Sequence, residues 1–137
     1  MAEIGRGLCC FVAAGEGDGA SDVQYVTAKL AGLRVFPTPD GHRHMDRSLA
    51  DVGGSLLLVP QFTLYGDVRR GLRPDFREAA HPDVARPVLQ ALADALRATG
   101  VPVAEGEFGA DMHVRVDNDG PVTILLESPR PDLPVPG

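Results

Sequence analysis

The chain opens on a continuous apolar run, Gly7 to Ala14 (GLCCFVAA), with no polar alternation. Such a run reads as a strand buried on both faces. Gly15-Glu16-Gly17-Asp18-Gly19 ends it as a turn cluster. Val23, Val26, Leu30 and Leu33 then fall at i, i+3, i+7 and i+10, which is one face of a helix. Ser21 or Asp22 is placed to cap that helix, and Gly32 marks its end. A loop with an Asp-Gly turn follows at Pro37-Thr38-Pro39-Asp40-Gly41.

The second half repeats the contrast of periods. After the Asp51-Val52-Gly53-Gly54 turn, Ser55 to Val59 reads as a second apolar strand, and Gln61 to Tyr65 is expected to continue it. Pro60 between them cannot donate to a ladder, so a bend is expected there. Residues 66–80 form a loop rich in Arg and Gly. Val84, Val88, Leu92 and Leu96 recur every fourth position and predict a helix over 83–99, stopped by Gly100. Pro87 must lie near its first turn or kink it. In 110–117, Ala110, Met112, Val114 and Val116 alternate with Asp111, His113, Arg115 and Asp117, the pattern of a half-buried strand. Asn118-Asp119-Gly120 is a turn, and Val122 to Glu127 reads as the hairpin partner. Residues 128–137 carry four prolines and no periodicity. They are expected to form a disordered or extended tail.

These elements predict one α+β domain over residues 1–127, with the tail at 128–137. Its sheet is expected to be mixed, largely antiparallel, and accompanied by two helices. Strands and helices do not alternate regularly in this reading, which argues against a doubly wound fold.

Composition narrows the class. A chain of 137 residues, 44% hydrophobic and 23% charged, has the make-up of a single globular domain rather than a disordered segment. No apolar run approaches the ~20 residues of a membrane span, and the first residues lack the apolar stretch of a signal peptide. Cys9 and Cys10 are adjacent and cannot make a disulfide framework. A soluble cytoplasmic protein with no membrane partner is expected. Thirteen Lys and Arg stand against nineteen Asp and Glu, a net of −6, so a whole-surface basic footprint for nucleic acid is excluded. A local patch is not. Residues 67–77 hold Arg69, Arg70, Arg73 and Arg77 against Asp67 and Asp75, a local net of +2. Lys29 is the single lysine, so positive charge here means arginine, which suits bidentate phosphate contacts.

Several constellations read as bland. His42 and His44 lie at i, i+2 but lack a convergent third ligand, so a solvated loop is the reading adopted. Cys9 and Cys10 have no basic neighbour to make a thiolate. Asp111 and His113 share a strand face; a solvent-facing stripe is preferred to a general-base pair. Asp117-Asn118-Asp119-Gly120 lacks the spacing of a calcium loop. Two segments resist this treatment: Pro60-Gln61-Phe62-Thr63-Leu64 with its arginine-rich sequel, and Gly120-Pro121 at a strand start, where a cis bond is affordable.

Both segments resemble signatures of the D-aminoacyl-tRNA deacylase (D-Tyr-tRNA deacylase) family. The residues are Gln61-Phe62-Thr63-Leu64, Arg70-Gly71-Leu72-Arg73-Pro74-Asp75-Phe76 and Asn118-Asp119-Gly120-Pro121-Val122-Thr123. Gly53-Gly54-Ser55 and Phe108-Gly109-Ala110-Asp111-Met112 are also similar, and the resemblance runs in order from about Glu3 to Glu127. It implies a homodimer with a barrel-like sheet that hydrolyses the ester of D-aminoacyl-tRNA without metal or cofactor. It implies that Gln61, Phe62 and Thr63 line the reacting ester, and that Gly120, Pro121 and Met112 bind substrate and reject L-amino acids. Arg69, Arg70 and Arg73 are the arginines expected to contact tRNA. Two departures stand out. Pro60 replaces a Ser usual in the family and is reminiscent of a related class that removes L-Ala, so a relaxed chirality filter for L-Ala or Gly is the alternative. The family's first strand, with its Gln-Arg-Val-like motif and following hairpin, is not seen before Met1: either the true start lies upstream or the sheet lacks strands, and a non-catalytic RNA-binding remnant is the third reading.

Overall fold

The computed structural model describes residues 1–129. The proline-rich tail expected at 128–137 lies outside the described residues from position 130 on. The element order is strand β1 (Gly7–Val12), helix α1 (Ala20–Gly32), strand β2 (Ser55–Pro60), a 3₁₀ turn (Phe62–Tyr65), helix α2 (Pro82–Ala98) and strand β3 (Val103–Glu105).

The described sheet is three-stranded, in the order β1-β2-β3, and wholly parallel. Gly7 aligns with Ser55 and Val12 with Pro60; Leu56 aligns with Val103 and Leu58 with Glu105. This overturns the expected mixed, largely antiparallel, barrel-like sheet, since the strands neither run antiparallel nor close. Two features explain the error. β3 is three residues long, too short to show a period, yet it completes a β-α-β-α-β alternation in which each helix serves as the crossover that parallel strands require. The alternating segment 110–117 and its expected partner 122–127 carry no strand at all. Period-two patterning prepares a segment for pairing, but a strand exists only where a neighbour accepts its ladder. Hydrogen bonds made by Ala110, Asn118 and Val122 are local ones, such as Ala110 N–H to Glu107 O (3.2 Å).

The helix readings hold with small shifts. α1 begins at Ala20 with Gly19 as its N-cap; Asp22 acts from inside the first turn, its Oδ2 accepting the Gly19 N–H at 2.9 Å. The other oxygen, Oδ1, accepts from the Ser128 hydroxyl at 2.8 Å, tying the far end of the described chain to α1. α2 starts with Pro82 at its first position, and His81 Nδ1 accepts the Asp83 N–H. Gly100 follows it with φ of 94°, a left-handed conformation that suits a residue without Cβ.

One core joins both helices to one sheet face. Leu30 of α1, Leu56 and Leu58 of β2, and Leu92, Ala93 and Leu96 of α2 are buried together with Phe36, Leu49 and Val101. Leu8, Cys10 and Val12 of β1 pack against this cluster. β1 itself is only half-buried, with Phe11 exposed, so the two-sided burial expected for it is not found. The helices cover one face of β1, not two. Arg97 ties α2 to β3, bonding Glu105 at 2.9 Å and the Val103 carbonyl at 3.1 Å.

Candidate active site at the end of the central strand

β2 carries the chain through the core and delivers it to solvent at Pro60. Pro60 still aligns with Val12, and the bond beyond it is made by Gln61, which donates its N–H to Val12 O at 2.7 Å; the N–H that Pro60 lacks faces away from β1, so the proline does not break that ladder. The backbone then turns. Phe62–Tyr65 forms the 3₁₀ turn rather than the strand continuation expected, closed by Leu64 N–H to Gln61 O and Gly66 N–H to Thr63 O. The amides of Phe62 and Thr63 have no acceptor among the described residues. They lie in the first turn of a helix, where N–H groups lack an internal partner. Thr63 Oγ1 accepts from Gln61 Nε2, so the two polar side chains hold each other. Phe62 and Leu64 are exposed.

The arginine-rich loop is braced against this turn. The Phe76 ring meets Phe62 edge to face, with centroids 5.1 Å apart. Gly66 sits where an added Cβ would approach Phe76 at 3.3 Å and Pro74 at 3.7 Å. Asp67 and Asp75 exchange both backbone hydrogen bonds (2.7 and 2.9 Å), closing the loop between them. Each aspartate also clamps the arginine two residues on. Asp67 accepts from Arg69 at its backbone N–H, Nε and Nη2 (3.0, 2.9 and 2.7 Å), and Asp75 accepts from Arg77 at its N–H and Nε (2.9 and 2.6 Å). Hydrogen bonds from Arg69 hold the Asp67 carboxyl down to about 2, and those from Arg77 lower Asp75.

The remaining predicted site residues come from the segment after β3. Met112 packs over Gly106, where an added Cβ would meet its sulfur at 3.1 Å. Gly106 in turn donates its N–H to Leu58 O, two residues before the end of β2. The structure thus ties Met112 to the strand that delivers Gln61. Gly120-Pro121 is a cis peptide with Gly120 at φ of 140°. Asn118 organises this corner: its Oδ1 accepts the Val122 N–H at 3.0 Å and its Nδ2 donates to the Thr123 hydroxyl at 3.1 Å. The corner is exposed, and among the described residues its side-chain hydrogen bonds run within 118–123, none to the 3₁₀ turn.

Cys9 and Cys10 sit apart from this chemistry. Burial pushes both thiols up, Cys10 to about 11, which keeps them protonated near neutrality. Sequence reading missed the Asp67 and Asp75 clamps; their signal was an Asp-x-Arg spacing repeated at 67–69 and 75–77.

A parallel α/β domain with an exposed turn at the carboxyl end of its central strand, flanked by a braced basic loop, is the setting of a site that acts on an anionic substrate. The comparisons define which one. Residues 1–127 match the family described as D-Tyr-tRNA(Tyr) deacylase. The chain is 52% identical over 124 residues to the D-aminoacyl-tRNA deacylase of Heliobacterium modesticaldum, covering 90% of this chain and 81% of that protein. It is 53% identical over 128 residues to the D-aminoacyl-tRNA deacylase of Sorangium cellulosum, covering 93% and 84%. Among solved structures, the c-Myc DNA Unwinding Element Binding Protein matches with a TM-score of 0.87 and 38% identity, covering 93% of this chain and 85% of that one. A probable eukaryotic D-amino acid tRNA deacylase shares the fold with a TM-score of 0.68. The chain belongs to the D-aminoacyl-tRNA deacylase family. It is a hydrolase that cleaves the ester of D-aminoacyl-tRNA, releasing the D-amino acid and free tRNA. Its substrate is therefore a tRNA. No helix among the described residues is long and apolar enough to cross a membrane.

Proposed function

We propose that the 3₁₀ turn carries the hydrolysis, with Gln61, Phe62 and Thr63 lining the reacting ester. The observation that supports this most is the pair of unpartnered amides on Phe62 and Thr63. An aminoacyl ester is already activated, and two fixed N–H donors suffice to stabilise the oxyanion of its tetrahedral intermediate. The Gln61 amide is committed to Val12, so Gln61 contributes through its side chain, which fixes the Thr63 hydroxyl. Water attacks the ester carbonyl, the bond to the ribose 3′-oxygen breaks, and that oxygen leaves with a proton. The neighbouring 2′-hydroxyl of the terminal adenosine assists the water, which makes the reaction specific for RNA. No step in this route uses a metal or cofactor.

Gly120, Pro121 and Met112 are assigned to substrate binding and rejection of the L-enantiomer. The corner is exposed, and its side-chain hydrogen bonds among the described residues stay within 118–123, which fits its reaching into the site of a second subunit. The apolar residues Met112, Val116, Val122, Ile124 and Leu125 around it are all exposed, as a homodimer interface requires. The cytoplasm, where charged tRNA is found, is the expected compartment. Release of amino acid from D-Tyr-tRNA but not L-Tyr-tRNA tests the assignment; equal release from both would overturn the chiral role. Pro60 at the end of β2 keeps one second reading in view, editing of L-Ala- or Gly-tRNA, and comparable rates on L-Ala-tRNA would favour it.

A further inference from the structure

We infer that the three arginines expected to contact tRNA divide into two roles. Arg70 and Arg73 grip phosphates of the single-stranded 3′ end, whereas Arg69 is a positioning residue that holds the loop in shape. The inference rests on the deacylase reading of the 3₁₀ turn.

The division follows from where charge is spent. Arg69 and Arg77 each lie in a clamp with an aspartate, Asp67 and Asp75, so their charges are matched locally. The loop's net of +2 therefore resides on Arg70 and Arg73. Both are exposed, and neither makes an ion pair or hydrogen bond among the described residues. They flank Gly71, whose φ of 64° makes the turn at the loop tip. A guanidinium without an acidic partner on a braced loop keeps its donors directed outward, where a phosphate accepts two of them in parallel. An exposed, flexible arginine loses more conformational entropy on binding than one on a preorganised loop.

The loop is also fixed relative to the chemistry. Phe76 stacks on Phe62, and Gly66 packs under Phe76 and Pro74, so a phosphate held by Arg70 or Arg73 stands at a set distance from the Phe62 and Thr63 amides. The tRNA 3′ end presents one phosphate per nucleotide leading away from the esterified ribose. This arrangement reconciles an acidic protein with an RNA substrate: the field is repulsive in general and attractive at one loop.

The test uses the full chain with two tRNA probes, D-Tyr-tRNA for turnover and tRNA carrying D-Tyr through a non-hydrolysable 3′-amide for binding. Arg70→Gln and Arg73→Gln should each weaken amide-tRNA binding about ten-fold, as expected for loss of a charged hydrogen-bonding contact. Their combination should lower the slope of log K against log salt by about 1.4, the value for two phosphates of a single strand. In turnover the loss should appear in KM with kcat nearly kept. Arg69→Gln should instead raise the Asp67 carboxyl midpoint and leave the salt slope close to wild type. An unchanged slope in the Arg70→Gln/Arg73→Gln protein, or a loss confined to kcat, overturns the inference. Failure of the wild-type protein to release D-Tyr would count against the turn as catalytic site, whereas the amide-tRNA measurement judges the arginines separately.

Discussion

The ring of Phe76 meets the ring of Phe62 edge to face, centroids 5.1 Å apart and planes inclined at 67°, and this contact joins the arginine-rich loop to the turn assigned to catalysis. Aromatic pairs of this geometry contribute roughly 0.5–1.5 kcal/mol beyond area burial. Phe76→Ala should therefore lower stability by about 1 to 3 kcal/mol, a few degrees in Tm. It should also raise KM for D-Tyr-tRNA, because the loop loses its reference to the turn. Thermal unfolding and steady-state kinetics on the same sample check both. An unchanged KM would show that the loop is positioned by other contacts.

Asp67 should titrate far below an ordinary carboxylate. Its folded value of about 2 lies under the ordinary 3.8 because Arg69 donates to it from side chain and backbone. A depressed carboxylate stabilises the folded loop above its unfolded pKa and loses that contribution as pH falls through the folded value. The clamp is thus complete above about pH 4 and opens toward pH 2. Carbon-detected NMR of the carboxyl should show a midpoint near 2, moving up toward the ordinary range in Arg69→Gln.

Cys10 should be unreactive at neutral pH. Burial is the larger cause of its rise to about 11, with the neighbouring Cys9 second. A thiol whose folded pKa is raised leaves stability intact below the unfolded value, near 9, and costs stability as pH climbs toward 11. Iodoacetamide labelling followed by mass spectrometry should mark Cys9 before Cys10. Rapid labelling of Cys10 at pH 8 would contradict the burial argument.

Gly7 should tolerate no side chain. An added Cβ would stand 1.7 Å from the Ser55 carbonyl oxygen, which is backbone and cannot swing aside. Gly7→Ala should part the first pair of the β1–β2 ladder and cost about 1–3 kcal/mol. Denaturant unfolding would show it as a lower midpoint at unchanged m.

Gly120→Ala should damage the chiral corner more than the fold. At φ of 140° an L side chain is strained, and its Cβ would lie 2.8 Å from Val122 Cγ2 and 3.0 Å from the Val122 amide nitrogen. Relief requires moving Val122, whose N–H is held by Asn118. The expected result is a Tm within a few degrees of wild type and a smaller ratio of D- to L-Tyr-tRNA hydrolysis. A ratio equal to wild type would count against the corner as the filter.

What could be read from the residues, and what could not, divides along physical lines. Helix faces were legible because a 3.6-residue period is a property of the segment itself: Val23 and Leu30, or Leu92 and Leu96, turn inward wherever the helix is placed. Pro60 was legible as the place where the strand bends away, and β2 does end there, although Gln61 beyond it still bonds Val12. The motif residues 61–64 and 118–123 carried the family, and with it the reaction. Strand direction was not legible. Whether Leu56–Leu58 runs parallel to its neighbours depends on which segments meet, and the three residues of β3 leave no local trace. The same holds for Met112 and Val116, whose alternation expresses a readiness to pair that nothing in the described chain fulfils. The commitment of the Gln61 amide to Val12 and the clamps on Arg69 and Arg77 are likewise tertiary facts: charge and hydrogen-bonding capacity are written in the sequence, but their use depends on which groups folding brings together.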